Sequence, residues 1–193
     1  MDLGYNLRLN MRVIAGRVKG KRLKSPKGPT RPTTELVREA IFSILQPMVG
    51  ERWQVLDLYA GSGALGVEAL SRGASWVDFV ESSPRCCAVI KENLSMTGFT
   101  SQAKVYCCSV NKALSMLSAF YDVVVLDPPY SDPSLADTLR TLFSSQLVGA
   151  GSTVVVQSSS HQPLPLEIEH FHLHKSRHYG DTCLSIYRQE ANN

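Results

Sequence analysis

The chain has 193 residues, room for one well-packed domain and a small appendage, and its 44% hydrophobic and 19% charged composition is globular. No apolar run approaches the ~18 residues of a membrane span and no secretory leader core opens the sequence, so a soluble, cytoplasmic protein is expected. Net charge is +3, yet residues 8–31 carry nine Lys or Arg and no acid, which leaves the remainder at −6.

In chain order, the basic stretch interleaves charge with apolar residues in RVIAG and RVKGKRL, which predicts a hairpin of Arg12–Ala15 against Lys21–Leu23. A solvated tail needs no such alternation. A basic hairpin beside an acidic body suits a phosphate backbone, which makes Arg12, Arg17, Lys19, Lys21 and Arg22 candidate nucleic-acid contacts. SPKGPTRPTT is a Pro/Gly connector, after which Thr33 or Thr34 can cap a helix ended by Pro47. Its residues Leu36, Val37, Ala40, Ile41, Ile44 and Leu45 recur at helical spacing, so one face is buried.

Strand and helix then alternate. Strands are predicted at Val55–Tyr59, Trp76–Glu81, Lys104–Cys108, Tyr121–Asp127 and Ser152–Gln157, and helices at Ala64–Ser71, Pro84–Met96, Val110–Leu117 and Ser134–Phe143. Such alternation means α/β architecture, a doubly wound parallel sheet with helices on both faces. Glu167–Lys175 and Thr182–Tyr187 flank a turn at Tyr179-Gly180-Asp181 too short for a crossover, so these last strands should be antiparallel neighbours.

Five cysteines, Cys86-Cys87, Cys107-Cys108 and Cys183, give neither an even disulfide framework nor C-x-x-C zinc spacing, and reduced, partly buried thiols are expected. His170, His172 and His174 alternate along one predicted strand and share a face there. No acid or cysteine is spaced to complete a metal shell, so a solvated face is expected and no metal.

The loop after the first predicted strand, GSGALG from Gly61 to Gly66, matches G-x-G-x-x-G, and Glu81 lies twenty positions past Gly61. A nicotinamide-dependent oxidoreductase would read this way. Asp57, four residues before Gly61, opposes that reading, because a pyrophosphate brought toward a carboxylate in a partly dry cleft is repelled by kilocalories. S-adenosylmethionine carries no phosphate, offers an ammonium group near Asp57, and presents a ribose diol to Glu81.

VVVLDPPYSD supplies an independent element, with Asp127, Pro128, Pro129 and Tyr130 at the carboxyl end of the fourth predicted strand, the edge that also carries the glycine loop. The two prolines fix φ and lack N–H, holding an extended segment whose carbonyls can accept from a ligand. A proline stop after a strand would explain the prolines alone, but not the acid and the aromatic ring that bracket them. An exocyclic amino group of a nucleobase explains all four. Accepting both its N–H groups at the Asp127 carboxylate and the Pro128 carbonyl would turn the nitrogen lone pair toward an electrophile, while Tyr130 stacks on the base.

LDLYAGSGALGVEALSRGA, DPPY, MRVIAGRVKGKRL, RPTTELVREAIFSIL and YGDTCLSIYR together resemble the RsmD family of 16S ribosomal RNA guanine-N2 methyltransferases, from about Arg12 to Arg188. The resemblance implies a seven-stranded Rossmann-like methyltransferase sheet with its last strand inserted antiparallel. It implies S-adenosylmethionine as cofactor and 16S rRNA in an assembled or assembling small subunit as partner; a monomer is expected. Domain limits follow as a basic extension at 1–31 and a methyltransferase domain at 32–193. Asp57, Tyr59, Gly61, Gly63 and Glu81 look like cofactor residues, Asp127 to Tyr130 like the catalytic tetrad, and Arg31, Thr33, Thr34 and Arg38 like an active-site wall. Where relatives often place Asp or Asn after the third strand to contact adenine, this chain has Cys108-Ser109, and Ser109 is the candidate for that hydrogen bond. Rival readings are an adenine-N6 DNA methyltransferase, the oxidoreductase, and a catalytically silent RNA-binding assembly factor.

Overall fold

The short apolar runs of the sequence become the centre of one mixed sheet in a computed structural model that describes residues 11–26, 34–47, 52–130 and 132–189. Helix α1 (Glu35–Leu45) precedes it. Five parallel strands follow, β1 (Gln54–Leu58), β2 (Trp76–Glu81), β3 (Ala103–Cys107), β4 (Val123–Leu126) and β5 (Thr153–Ser159). They are connected by α2 (Ala64–Ser71), α3 (Pro84–Thr97), α4 (Val110–Met116) and α5 (Leu135–Phe143). Strands β6 (Glu167–Ile168), β7 (Phe171–Tyr179) and β8 (Thr182–Gln189) complete the order β3-β2-β1-β4-β5-β8-β7-β6.

Helices cover both faces, as alternation predicts. Val55, Val123, Val125 and Val155 pack toward α1, α2 and α3, while Leu56, Leu58, Val124, Leu126, Val154 and Val156 pack toward α4 and α5. Burial on both sides is why these strands read as unbroken apolar runs. Caps chosen by local chemistry hold the helix starts: the Thr34 hydroxyl accepts the Val37 N–H at 3.3 Å, Ser83 caps α3 with Pro84 in its first turn, and Gly98 ends α3 at φ 79°.

β8 is antiparallel to both β5 and β7, so β7 runs with the parallel strands and its Tyr179 end joins their carboxyl edge. This is the inserted last strand that the resemblance implies, with the two-residue β6 added at the margin as an eighth. The single strand expected over Glu167–Lys175 is divided instead. Glu169 adopts φ 53°, and the chain folds back there so that Ile168 pairs with Phe171, both apolar side chains are buried, and Phe171 stacks on Phe143 at 4.3 Å. The pairing register then slips between Leu173 and Lys175. His170 therefore lies outside the strand, His174 lies at the slip, and the three histidines do not share a strand face as expected.

The N-terminal segment closes as a hairpin through the Arg12↔Arg22 bridge, with Val13 N–H on the Lys21 carbonyl and Leu23 N–H on the Met11 carbonyl. It forms no longer ladder because its backbone bonds to α2. Glu68 accepts the N–H groups of Ile14 (2.7 Å) and Ala15 (2.9 Å), and the Ser71 carbonyl accepts that of Arg17 (2.7 Å). Gly16, at φ 82°, lies so close to Ser71 that a Cβ would sit 1.9 Å from its carbonyl oxygen. Met11, Val13 and Leu23 enter the same core as α1 and α2. No helix among the described residues is long and apolar enough to cross a membrane.

Candidate active site

Parallel strands deliver their loops to one edge, and here that edge is acidic. Asp57 is the penultimate residue of β1, Glu81 ends β2, and Asp127 follows β4, its N–H directed at the Leu58 carbonyl. The β1–β4 register pairs Leu58 with Leu126, which sets Asp127 beside the start of the glycine loop.

That loop is shaped by local strain. Tyr59 (φ 60°), Gly61 (φ 55°) and Gly63 (φ 74°) all occupy the left-handed region, which for a tyrosine is uncommon and characteristic of functional turns. At Gly61 an added Cβ would meet nothing closer than 3.9 Å, so conformation selects glycine there. At Gly66 a Cβ would fall 2.2 Å from the Phe79 ring, so helix-on-strand packing selects it.

The carboxylates are engaged in ways that the sequence does not reveal. Glu81 accepts the Gly61 N–H through Oε2 and the Ser83 N–H through Oε1, each at 2.8 Å, binding the glycine loop to the β2–α3 connection. Asp57 is buried and its Oδ2 accepts the N–H of Gly66 in the first turn of α2 at 2.9 Å. Burial pushes the Asp57 carboxyl well above its ordinary range; the Gly66 N–H opposes that shift, and the charges of Asp127 and Glu81 add to it.

A cavity of about 180 Å³ opens at this edge, lined by Tyr59, Glu81, Ser109, Asn111, Asp132 and Ser134 among others. Of the expected cofactor residues, Tyr59, Glu81 and Ser109 line it, whereas Asp57, Gly61 and Gly63 are not in its lining. Ser109 also caps α4, accepting the Lys112 N–H at 3.3 Å. Asp132 was not among the expected residues, although it stands in the same DPPYSD run. Its carboxylate accepts the Ser134 hydroxyl (2.7 Å), the Ser134 N–H (2.9 Å) and the Tyr59 hydroxyl (3.1 Å). The Ser134 hydroxyl bond leads in pulling its pKa down, despite partial burial.

Asp127 is half-buried, Pro128 buried and Pro129 exposed. The Pro129 carbonyl accepts the Asp132 N–H at 2.9 Å, closing a turn, so of the two proline carbonyls that one is engaged within the loop. Tyr130 shares a 2.5 Å hydrogen bond with the hydroxyl of Thr182, at the β7–β8 turn.

Of the nucleic-acid candidates, Arg17, Lys19, Lys21 and Arg22 are exposed, and Arg12 is exposed but paired with Glu35 at 3.2 Å. Thr34 spends its hydroxyl on the α1 cap. Arg38 is fully buried, donating to the Arg12 carbonyl at 3.0 Å, with Nε and Nη1 lacking a hydrogen-bond partner among the described residues. Burial lowers its pKa, opposed by the charges of Glu68 and Glu35. The guanidinium thus faces the hairpin and α2 rather than solvent. Arg31 and Thr33 lie outside the described residues.

The model of the family described as Conserved hypothetical protein 95 matches residues 11–188. YlbH of Bacillus subtilis is 34% identical over 185 residues, covering 94% of this chain and all of its own. Ribosomal RNA small subunit methyltransferase D of Escherichia coli K12 is 31% identical over 182 residues, covering 94% of this chain and 91% of its own. The solved structure of the Escherichia coli protein yhhF superposes with a TM-score of 0.84 at 30% identity, covering 94% of this chain and 99% of that one.

Proposed function

The chain belongs to the family described as Conserved hypothetical protein 95, in which it is similar to ribosomal RNA small subunit methyltransferase D, and from that premise we propose that it methylates the N2 amino group of a guanine in 16S rRNA. The observation that carries the reading is the position of Asp127–Tyr130 at the carboxyl end of β4, on the same edge as an acidic cavity lined from the segments after β1, β2, β3 and β4.

The cavity fits S-adenosylmethionine better than a dinucleotide. The charges of Asp127 and Glu81 reach Asp57, and an acidic edge of this kind repels phosphates and attracts a cationic ligand. Glu81 gives each carboxylate oxygen to one backbone N–H and keeps further lone pairs for a ribose diol. Tyr59, Glu81, Ser109, Asp132 and Asn111 would hold the cofactor, which when bound supplies a methyl group on an electrophilic sulfonium.

The chain's own residues act on the amino group. The Asp127 carboxylate and the Pro128 carbonyl accept its two N–H groups and turn the nitrogen lone pair toward the cavity, so positioning and fixed dipoles lower the barrier. An ordinary aspartate is a weak base, and the nitrogen becomes acidic only after alkylation; Asp127 orients first and accepts a proton late. Tyr130, anchored by Thr182, offers its ring to the base. The exposed Arg17, Lys19, Lys21 and Arg22 hold phosphates of the RNA. Substrate in the ribosomal small subunit makes the cytoplasm the site of action.

Incubation with labelled S-adenosylmethionine and either under-methylated small subunits, naked 16S rRNA or DNA, followed by nucleoside identification, tests the reading. N2-methylguanosine in 16S rRNA is expected. N6-methyladenine in DNA would replace the substrate, and absence of label from all three would remove the activity.

A further inference from the structure

A second and larger cavity, about 460 Å³, runs between α1 and β7 on the face opposite α4 and α5. Its α1 wall is formed by Leu36, Ala40 and Ile44 together with Glu39 and Ser43, and Leu36 is 64% exposed. Its β7 wall carries Lys175, Arg177 and Tyr179, which share a face because the β7–β8 register places them opposite Ile186, Leu184 and Thr182. Neither cation makes an ion pair among the described residues; Glu39 is the acidic residue in the lining.

The groove reaches the catalytic edge from both walls. Tyr179 is the Cα partner of Thr182, whose hydroxyl holds Tyr130. At the start of α1, Glu35 binds Arg12, next to Met11, whose sulfur lies 3.7 Å from the Ser62 hydroxyl in the glycine loop. An aromatic ring at the mouth, an apolar strip of Leu36, Ala40 and Ile44, and two cations without an ion pair among the described residues form the combination that binds single-stranded nucleic acid: rings stack bases of any sequence, and cations track phosphates.

We propose that this α1–β7 groove holds the single-stranded RNA that flanks the target guanine, with Tyr179 against a base and Lys175 and Arg177 against phosphates. The proposal rests on the RNA-methyltransferase reading and assigns to the enzyme a second RNA contact, separate from the basic hairpin. It lets the substrate be gripped on both sides of Tyr130, so that extrusion of one base is offset by contacts made to its neighbours.

The test pairs Lys175→Ala/Arg177→Ala and, separately, Tyr179→Leu with the wild-type chain. Binding of a fluorescent twelve-residue oligouridylate is followed by anisotropy across a salt series, and KM and kcat are measured on under-methylated small subunits. Each lost phosphate contact should lower the slope of log affinity against log salt by about 0.7, so the double variant should lose about 1.4. KM for subunits should rise about tenfold near physiological salt with kcat retained, and Tyr179→Leu should weaken oligouridylate by about tenfold. Calorimetry with S-adenosylmethionine serves as the folding control, and the exposed reversal Arg177→Glu substitutes for Tyr179→Leu if that variant fails it. Unchanged slope and KM in variants that bind the cofactor normally would overturn the proposal. If the wild-type chain methylated no RNA while the oligouridylate slope still depended on Lys175 and Arg177, the groove would stand and the methyltransferase reading would fall.

Discussion

Glu68→Gln should destabilise the whole chain through the N-terminal hairpin. Glu68 is fully buried; its Oε1 accepts from Ala15 N and Arg72 Nε (2.8 Å), its Oε2 accepts from Ile14 N, and its charge faces the buried Arg38. Glutamine keeps the volume but turns one acceptor oxygen into a donor, so at least one buried N–H loses its partner at about 1–3 kcal/mol. It also breaks the ion pair of Glu68 with Arg72 (2.8 Å), in which Glu68 is fully buried, and withdraws the Glu68 charge that acts on the buried Arg38; losing one partner of a buried pair costs about 3–5 kcal/mol. These terms overlap, and about 4 kcal/mol is a fair total, or a fall in Tm of roughly 8–16 °C for a domain of this size. Scanning calorimetry measures it. Arg38→Met in the Glu68→Gln background should cost less than the sum of the single variants, because it removes the stranded charge. Limited trypsinolysis at Arg17, Lys19 and Lys21 should accelerate in Glu68→Gln, reporting local opening of the hairpin. A Tm loss below about 2 °C, or strict additivity in the double variant, would refute this account of how the hairpin is held.

Asp127→Ala should reduce turnover by a few hundredfold, about 3 kcal/mol, with S-adenosylmethionine affinity nearly unchanged by calorimetry, as for loss of one placed acceptor; retention of a third of the rate would remove Asp127 from the chemistry. Asp57 has a raised carboxyl pKa in the folded chain, so its contribution to stability is complete below the unfolded value and is lost as pH rises through the folded one. Asp57→Asn retains an acceptor for Gly66 N–H and removes the buried charge; its Tm relative to wild type should therefore climb from acid to neutral pH, and a difference that is flat with pH would contradict the assignment. Deletion of residues 1–31 should lower Tm sharply and cofactor binding with it, since Met11, Val13 and Leu23 are core residues. A deletion variant with wild-type Tm would reverse that expectation.

What the sequence determined by itself was local. Helix starts at Thr34 and Ser83, the stop at Gly98, and the alternation that yields a parallel sheet depend on residues within a few positions of one another, so period and capping chemistry reveal them. The gathering of Asp57, Glu81 and Asp127 at one edge was legible for the same reason, because each sits at or near the end of a recognisable parallel strand. The direction of each side chain was decided by the partners that the folded chain sets beside it. Asp57 bonds to Gly66 inside α2 and Glu81 to Gly61 and Ser83; Arg38, a wall residue by resemblance, is drawn beneath the hairpin toward Glu68. Asp132 lines the cavity where its carboxylate accepts the hydroxyl of Tyr59, 73 positions earlier and at a left-handed φ. The α1–β7 groove has no sequence signal at all, since its walls are about 130 residues apart and meet only when β8 inserts between β5 and β7 and sets β7 beside α1.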